Sequence, residues 1–249
     1  MGGARVSVVM PAYNAAATLQ ASVDSVLAQT HRDVELLIVD DCSRDATWEM
    51  AQVAAVHDPR VKPIRLAVNG GVAAARNAGL EAATGTHIAF LDSDDRWRPD
   101  KLARQLVHMA ATGSRVSYTC YRRCDAGDRT LSLVVPPLEA THRDMLKGNP
   151  IGNLTGLYDR SLGEFRFRRM GHEDYVLWLE VVKAAGIARR EPGTDPLADY
   201  LVRGGSLSAD KRRAARWQWR IYRDVERLDA MRAGWYFLHY AVNAVRKRR

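Results

Sequence analysis

Hydrophobic and polar positions keep two alternating rhythms through the first hundred residues. VSVVM (6–10), VELLIVD (34–40), the shorter VKPIRLA (61–67) and HIAFL (87–91) are apolar runs with the length of buried strands. Between them, TLQASVDSVLAQ (18–29), ATWEMAQVAAV (46–56) and VAAARNAGLEAA, opened by Gly70 and Gly71, carry apolar residues at helical spacing. PDKLARQLVHMAA continues the series, with Pro99 suited to a first helical turn. The alternation predicts an α/β fold: a mostly parallel central sheet with helices on both faces. Ligands of such sheets bind beyond the carboxyl ends of the strands.

The second half is less regular. SRVSYTCYR (114–122), LSLVV (131–135), IGNLTGLYD and PLADYLV read as strands, and HRDMLKG as a short helix. GHEDYVLWLEVVKAAG (171–186) reads as an amphipathic helix ended near Gly186. From Ala209 the chain reads as a long helix followed by a second, RAGWYFLHYAVNAVRKRR. No internal repeat or low-complexity segment is evident.

The candidate chemistry sits at the strand tips. Strand one leads into PAYN, strand two into DDCS and strand four into DSDD, within FLDSDDRWRPDK. No GxGxxG follows strand one and no GxxxxGK[ST] occurs, which excludes a dinucleotide fingerprint and a P-loop. Asp92, Asp94 and Asp95 repel one another unless a cation or hydrogen-bond donors compensate. Capping of the next helix explains one of these carboxylates, not three. A divalent cation, Mg²⁺ or Mn²⁺, carrying a nucleotide diphosphate accounts for the cluster.

Net charge refines this picture. The chain carries +8, yet 12 Lys/Arg and 3 Asp/Glu lie between Lys211 and Arg249, so the tail holds +9 and residues 1–210 hold −1. Such a basic block meets phosphates, of nucleic acid or of an anionic membrane. Trp217, Trp219, Trp235, Tyr236 and Phe237 add aromatics of the kind found at headgroup level, so peripheral membrane contact is expected and a nucleic-acid partner is not. MGGARVSVVMP has too short an apolar run for a signal peptide, and no run approaches the roughly 20 residues of a spanning helix. Cys42, Cys120 and Cys124 form no paired framework. A reduced, cytoplasmic protein is expected, on the inner face of the membrane if the tail docks there.

The segments VSVVMPAYN, QTHRDVELLIVDDCSRDAT, NGGVAAARNAGLEAATGTHIAFLDSDD and GHEDYVLWL together resemble family 2 glycosyltransferases of GT-A fold, in order and spacing over roughly residues 5–180. The tail resembles bacterial surface-polysaccharide enzymes of that family, including those assigned to teichuronic acid synthesis. The resemblance implies transfer of a sugar, with inversion, from a nucleotide diphosphate donor, usually UDP-linked, to a glycan or lipid-linked acceptor. It implies a catalytic domain over 1–208, with a nucleotide-sugar half (1–100) and an acceptor half (101–208), and a basic helical extension over 209–249. Carried over by position, it places Pro11 and Tyr13 at the uracil, Asp41 on its N3–H, and Arg76 at the base or phosphates. Asp92-Ser93-Asp94 matches the DxD motif, with Asp92 towards ribose and metal and Asp94 as principal ligand; Asp95 stays open. Glu173-Asp174 matches the catalytic-base motif. Neighbours on a helix do not face one another, so the two acids divide the work, with Asp174 as general base. His172 is expected to be a neighbour without an essential role. Where many relatives have YRxHxxSxS, this chain reads YLVRGGSLS, with Leu201 for the Arg and Arg203 for the His. Arg203 could hold the leaving diphosphate, but stays protonated and cannot ligate a metal. Two rival readings are a DxD-type phosphatase, which needs the motif near the chain start, and a non-catalytic nucleotide-binding assembly factor docked on the membrane.

Overall fold

The computed structural model describes residues 3–202 and 211–246. Four parallel strands form half of an eight-stranded sheet: β1 (Val6–Ala12), β2 (Val34–Asp40), β3 (Val61–Arg65) and β4 (His87–Phe90). β1 and β2 are buried along their whole length, as continuous apolar runs require when both faces are covered. α3 (Val72–Ala82) covers the face that holds Val9 and Leu37. α1 (Leu19–Leu27) and α2 (Thr47–His57) cover Val8, Met10, Leu36 and Ile38 on the other. α3 lies close to the sheet because Gly79 has no side chain: a Cβ there would meet Val9 at 2.5 Å.

After β4 come β5 (Arg96–Trp97), α4 (Lys101–Thr112), β6 (Val116–Tyr118), β7 (Tyr121–Cys124), β8 (Thr130–Val134), β9 (Glu139–Thr141), α5 (His142–Leu146), β10 (Leu157–Asp159), α6 (Glu173–Ala185), β11 (Ile187–Arg190) and β12 (Ala198–Leu201). The main sheet runs β3-β2-β1-β4-β10-β6-β11-β9, and a second sheet runs β5-β12-β7-β8. The expected strand over 114–122 is therefore two strands in different sheets, joined through buried Thr119 and Cys120. The expected strand IGNLTGLYD is only β10, preceded by a 3₁₀ turn at Asn153–Thr155. Gly156 lies extended against the Trp178 ring, where a Cβ would come within 2.1 Å, so only glycine fits beneath the indole.

Trp178 is fully buried and meets Phe90 and Tyr158 edge-on, at 6.1 and 6.0 Å. The C-terminal helices close over this core. α7 (Lys211–Arg220) passes through a π turn (Ile221–Val225) and a short link into α8 (Ala230–Arg246). Ile221, Tyr222 and Ala233 have no exposed surface, and the Tyr222 hydroxyl donates to the Leu146 carbonyl at 2.6 Å. Met231, Trp235, Leu238 and Val242, at helical spacing on α8, are exposed. Among the described residues no helix is long and apolar enough to cross a membrane.

Candidate active site

β4 delivers the acidic turn. Its chain reverses at Asp92–Asp95, closed by a 3.0 Å bond from the Asp95 amide to the Asp92 carbonyl. Asp95 is buried, and its Oδ1 accepts from the Leu201 amide at 2.9 Å, which ties the turn to β12. This third carboxylate therefore has a structural partner. Asp92 stays half-exposed and accepts from Arg76 Nη2 at 2.7 Å.

Arg76 rises from α3 and is almost wholly buried. Its Nη1 lies 3.6 Å from Glu173 Oε1, and its guanidinium lies 5.0 Å over the Phe167 ring. The adjacent Asn77 holds Phe167 at both backbone groups, at 2.8 and 2.9 Å. One helix thus fixes both the cation and the loop that leads to the second acidic pair. Burial works against the Arg76 charge, yet Asp92, with Asp174 and Glu173, holds its pKa above the ordinary arginine value.

α6 begins at that pair. Tyr175 to Leu179 pack inward and Tyr175 donates to the Met145 carbonyl at 2.8 Å, which leaves Glu173 and Asp174 half-buried against the cavity. Burial pushes the Glu173 carboxyl up; Arg76 opposes the shift, and Asp174 and Asp92 add to it.

Arg76, Asp92, Asp95, Glu173 and Asp174 line one cavity of about 1020 Å³. Such a volume takes a nucleotide-sized ligand. Of the residues expected from the sequence, the cavity gathers Arg76, Asp92, Glu173 and Asp174; Ser93 and Asp94 sit in the adjoining turn. Pro11, Tyr13 and Asp41 lie at the carboxyl ends of β1 and β2, outside the cavity lining. Pro11 is buried within β1, while the Tyr13 ring is 47% exposed, open for a base to stack on. The Asp41 carboxylate accepts from the amides of Gly70 and Gly71 at 2.7 and 2.8 Å. Gly71 has φ +83, so glycine is needed for that turn. Asp41 itself is buried. Arg203 lies outside the described residues.

Among the described residues no three His, Cys, Asp or Glu side chains gather as a self-sufficient metal cage. The half-buried carboxylates of Asp92 and Asp94 are hard oxygen donors. They suit Mg²⁺ or Mn²⁺, which take one or two carboxylates and complete their shell with phosphate oxygens and water. Cys120 and Cys124 donate instead to the carbonyls of Gly193 and Tyr200, and burial pushes both thiols up.

Several cavity residues went unrecognised in the sequence: Tyr121 and Arg123 of β7, Asn153, and Tyr200 of β12; Trp217 of α7, expected among the headgroup-level aromatics, lines the cavity as well. His172, expected to be a bystander, also lines the cavity and adopts left-handed backbone angles, φ 60 and ψ 40.

The profile described as "Glycosyl transferase family 2" matches residues 7–172. The chain is 39% identical over 246 residues to TuaG of Bacillus subtilis (strain 168), a glycosyltransferase assigned to teichuronic acid biosynthesis; the match covers 98% of this chain and 97% of TuaG. It is 35% identical over 243 residues to WfgD of Escherichia coli, a UDP-Glc:α-D-GlcNAc-diphosphoundecaprenol β-1,3-glucosyltransferase, covering 97% and 94% of the two chains. Staphylococcus aureus TarS 1–349 in complex with UDP-GlcNAc superposes with a TM-score of 0.72 at 20% identity, over 95% of this chain and 71% of that one.

Proposed function

The chain belongs to glycosyl transferase family 2 and has the GT-A fold, and on that premise we propose that it transfers a sugar from a UDP-linked donor, with inversion, to a lipid-linked saccharide in surface-polysaccharide biosynthesis. The observation that carries this reading is the convergence of two acidic motifs on one cavity, joined by Arg76 at 2.7 Å to Asp92 and 3.6 Å to Glu173. The names of TuaG and WfgD support the pathway and the acceptor class.

Tyr13 stacks on the uracil and Asp41 takes its N3–H, which leaves the diphosphate at the acidic turn. Asp92 and Asp94 would hold a divalent cation, which would offset negative charge on the diphosphate. Arg76 holds Asp92 and Glu173 in place. Asp174 removes the proton from the acceptor hydroxyl. That oxygen bonds to donor C1 as the C1–O bond to the diphosphate breaks, and UDP leaves with the electron pair. Attack comes from the face opposite the diphosphate, which inverts the anomeric centre in one displacement.

The exposed residues of α8 and the +9 charge of residues 211–249 support a peripheral seat on an anionic inner-membrane face, beside a lipid-linked acceptor. The test is transfer from a panel of labelled UDP-sugars to a short-chain N-acetylglucosaminyl diphospholipid, with Mn²⁺ and with chelator. Label in the lipid product, lost with chelator, supports the reading. Full activity in chelator removes the metal, and phosphatase activity without any nucleotide sugar replaces the reaction.

A further inference from the structure

α6 begins without a side-chain cap. The residue at its N-cap, His172, makes no capping hydrogen bond and has left-handed backbone angles, φ 60 and ψ 40. An N-cap ordinarily lies in the extended region. A non-glycine residue persists in the left-handed region only where its surroundings over-determine it. Yet this residue sets the first turn of the helix, because its carbonyl accepts from the Val176 amide at 3.1 Å. Glu173 and Asp174 follow it directly, so a tilt at His172 passes to both acids. The hold on His172 has to come from elsewhere in the chain.

It comes from Trp217 of α7. The indole lies flush against Gly171, where a Cβ would come within 1.9 Å of the ring, so only glycine permits the approach. The same indole meets the His172 imidazole edge-on at 5.4 Å. The segment that carries Trp217 is itself fastened to α6 and α5. Gln218 Nε2 donates to the Tyr175 hydroxyl at 3.4 Å, the Tyr222 hydroxyl donates to the Leu146 carbonyl at 2.6 Å, and Glu226 pairs with Lys183 at 3.5 Å. Arg76 of α3 also reaches this acidic pair, at 3.6 Å from Glu173. The pair is thus held by an arginine from α3 and by an indole packed on the turn before it. That indole lies beyond the 7–172 stretch that the family profile matches.

Resting on the glycosyltransferase reading above, we infer that Trp217 is a positioning residue for the reaction: it clamps the Gly171–His172 turn and thereby sets the direction in which Asp174 meets the acceptor hydroxyl. The C-terminal segment then completes the catalytic centre as well as packing on the core. Trp217 acts through the backbone of the turn and exchanges no proton. Removing the indole leaves Tyr13, Asp41 and the acidic turn as they are, and leaves Asp174 in the chain. It frees only the turn that aims the acid. A reacting group displaced by about 1 Å can cost on the order of 10²-fold in rate.

The experiment compares the full-length wild type with Trp217→Leu, Trp217→Phe, Gly171→Ala and the double variant Trp217→Leu/Gly171→Ala. Three quantities are read: the Kd for UDP in Mn²⁺, the single-turnover rate of transfer from the labelled UDP-sugars to the short-chain diphospholipid at saturating acceptor, and Tm. Trp217→Leu should keep the Kd for UDP and transfer about 10- to 10²-fold more slowly. Trp217→Phe keeps an aromatic edge against Gly171 and should regain most of that rate, which a loss of bulk stability would not track. Gly171→Ala drives the indole off the turn and should slow transfer in the same way; it serves if Trp217→Leu does not fold. Both changes act on one contact, so the double variant should be no slower than Trp217→Leu alone. A Trp217→Leu enzyme with the wild-type rate overturns the inference. So does a loss confined to the Kd for UDP or to the KM for acceptor, which makes Trp217 a binding residue, and so do losses that multiply in the double variant. Each of these leaves the proposed function standing. A wild type that transfers no sugar overturns both.

Discussion

Replacing Arg76 with methionine removes the cation between the two acidic motifs while filling much of its volume. Breaking a fully buried ion pair by deleting one partner costs about 3–5 kcal/mol. Here the orphaned side chains keep some water, with 34% exposure for Asp92 and 22% for Glu173. The loss should therefore approach that of one hydrogen bond to a charged group, about 2–3 kcal/mol. At roughly 2–4 °C per kcal/mol for a chain of this size, Tm should fall by about 4–12 °C at pH 8. Burial already pushes the Glu173 carboxyl up against the pull of Arg76, so without that arginine it rises further. An acid whose folded pKa lies above its unfolded value gives stability at low pH that is lost as pH rises through the folded pKa. The deficit of Arg76→Met should thus shrink on acidification towards the ordinary glutamate range. Thermal unfolding followed by circular dichroism from pH 4 to pH 8 measures both effects. A Tm within about 1 °C of wild type at pH 8, or a deficit that grows on acidification, would refute the hub assigned to Arg76.

Glu173→Gln removes a carboxylate that burial disfavours, so it should raise Tm at pH 7–8, with the gain vanishing below about pH 4.5; a pH-independent difference would count against the burial argument. Gly156→Ala puts a Cβ within 2.1 Å of the Trp178 ring and should cost about 1–3 kcal/mol or more in urea denaturation, whereas an unchanged midpoint would show that the indole yields freely. Trp235→Ser with Leu238→Ser alters two side chains that are each 59% exposed. It should weaken co-sedimentation with anionic vesicles at low salt and leave Tm unchanged; a wild type that ignores such vesicles ends the membrane reading.

β1 and β2 were legible because strands buried on both faces must be apolar throughout, and their termini match the runs to within two residues. The acidic turn was legible because its charge at a strand end demanded compensation. Part of that compensation turned out to be internal: Arg76 meets Asp92, and the Leu201 amide meets Asp95. β5, β9 and β11 span only two to four residues, too few to display a period. The break between β6 and β7 was hidden because the strand pattern continues while the chain changes sheets. Asn153 and Tyr200 are ordinary residues in sequence, and they, like Trp217 from the aromatic tail, become site residues only through tertiary placement. The tail's charge suggested a surface role, yet Ile221 and Tyr222 are fully buried, which residue composition alone does not reveal.

The central claim is that Asp174 takes the acceptor proton while the donor is held elsewhere, at Tyr13, Asp41 and the acidic turn. Its most direct test compares wild type with Asp174→Asn in two quantities: the Kd for the UDP-sugar in Mn²⁺ and the single-turnover rate of transfer. The account predicts a nearly unchanged Kd and a rate lower by about 10²-fold or more, the contribution of a positioned base. Donor affinity and transfer rate falling in equal proportion would contradict it and make Asp174 a binding residue.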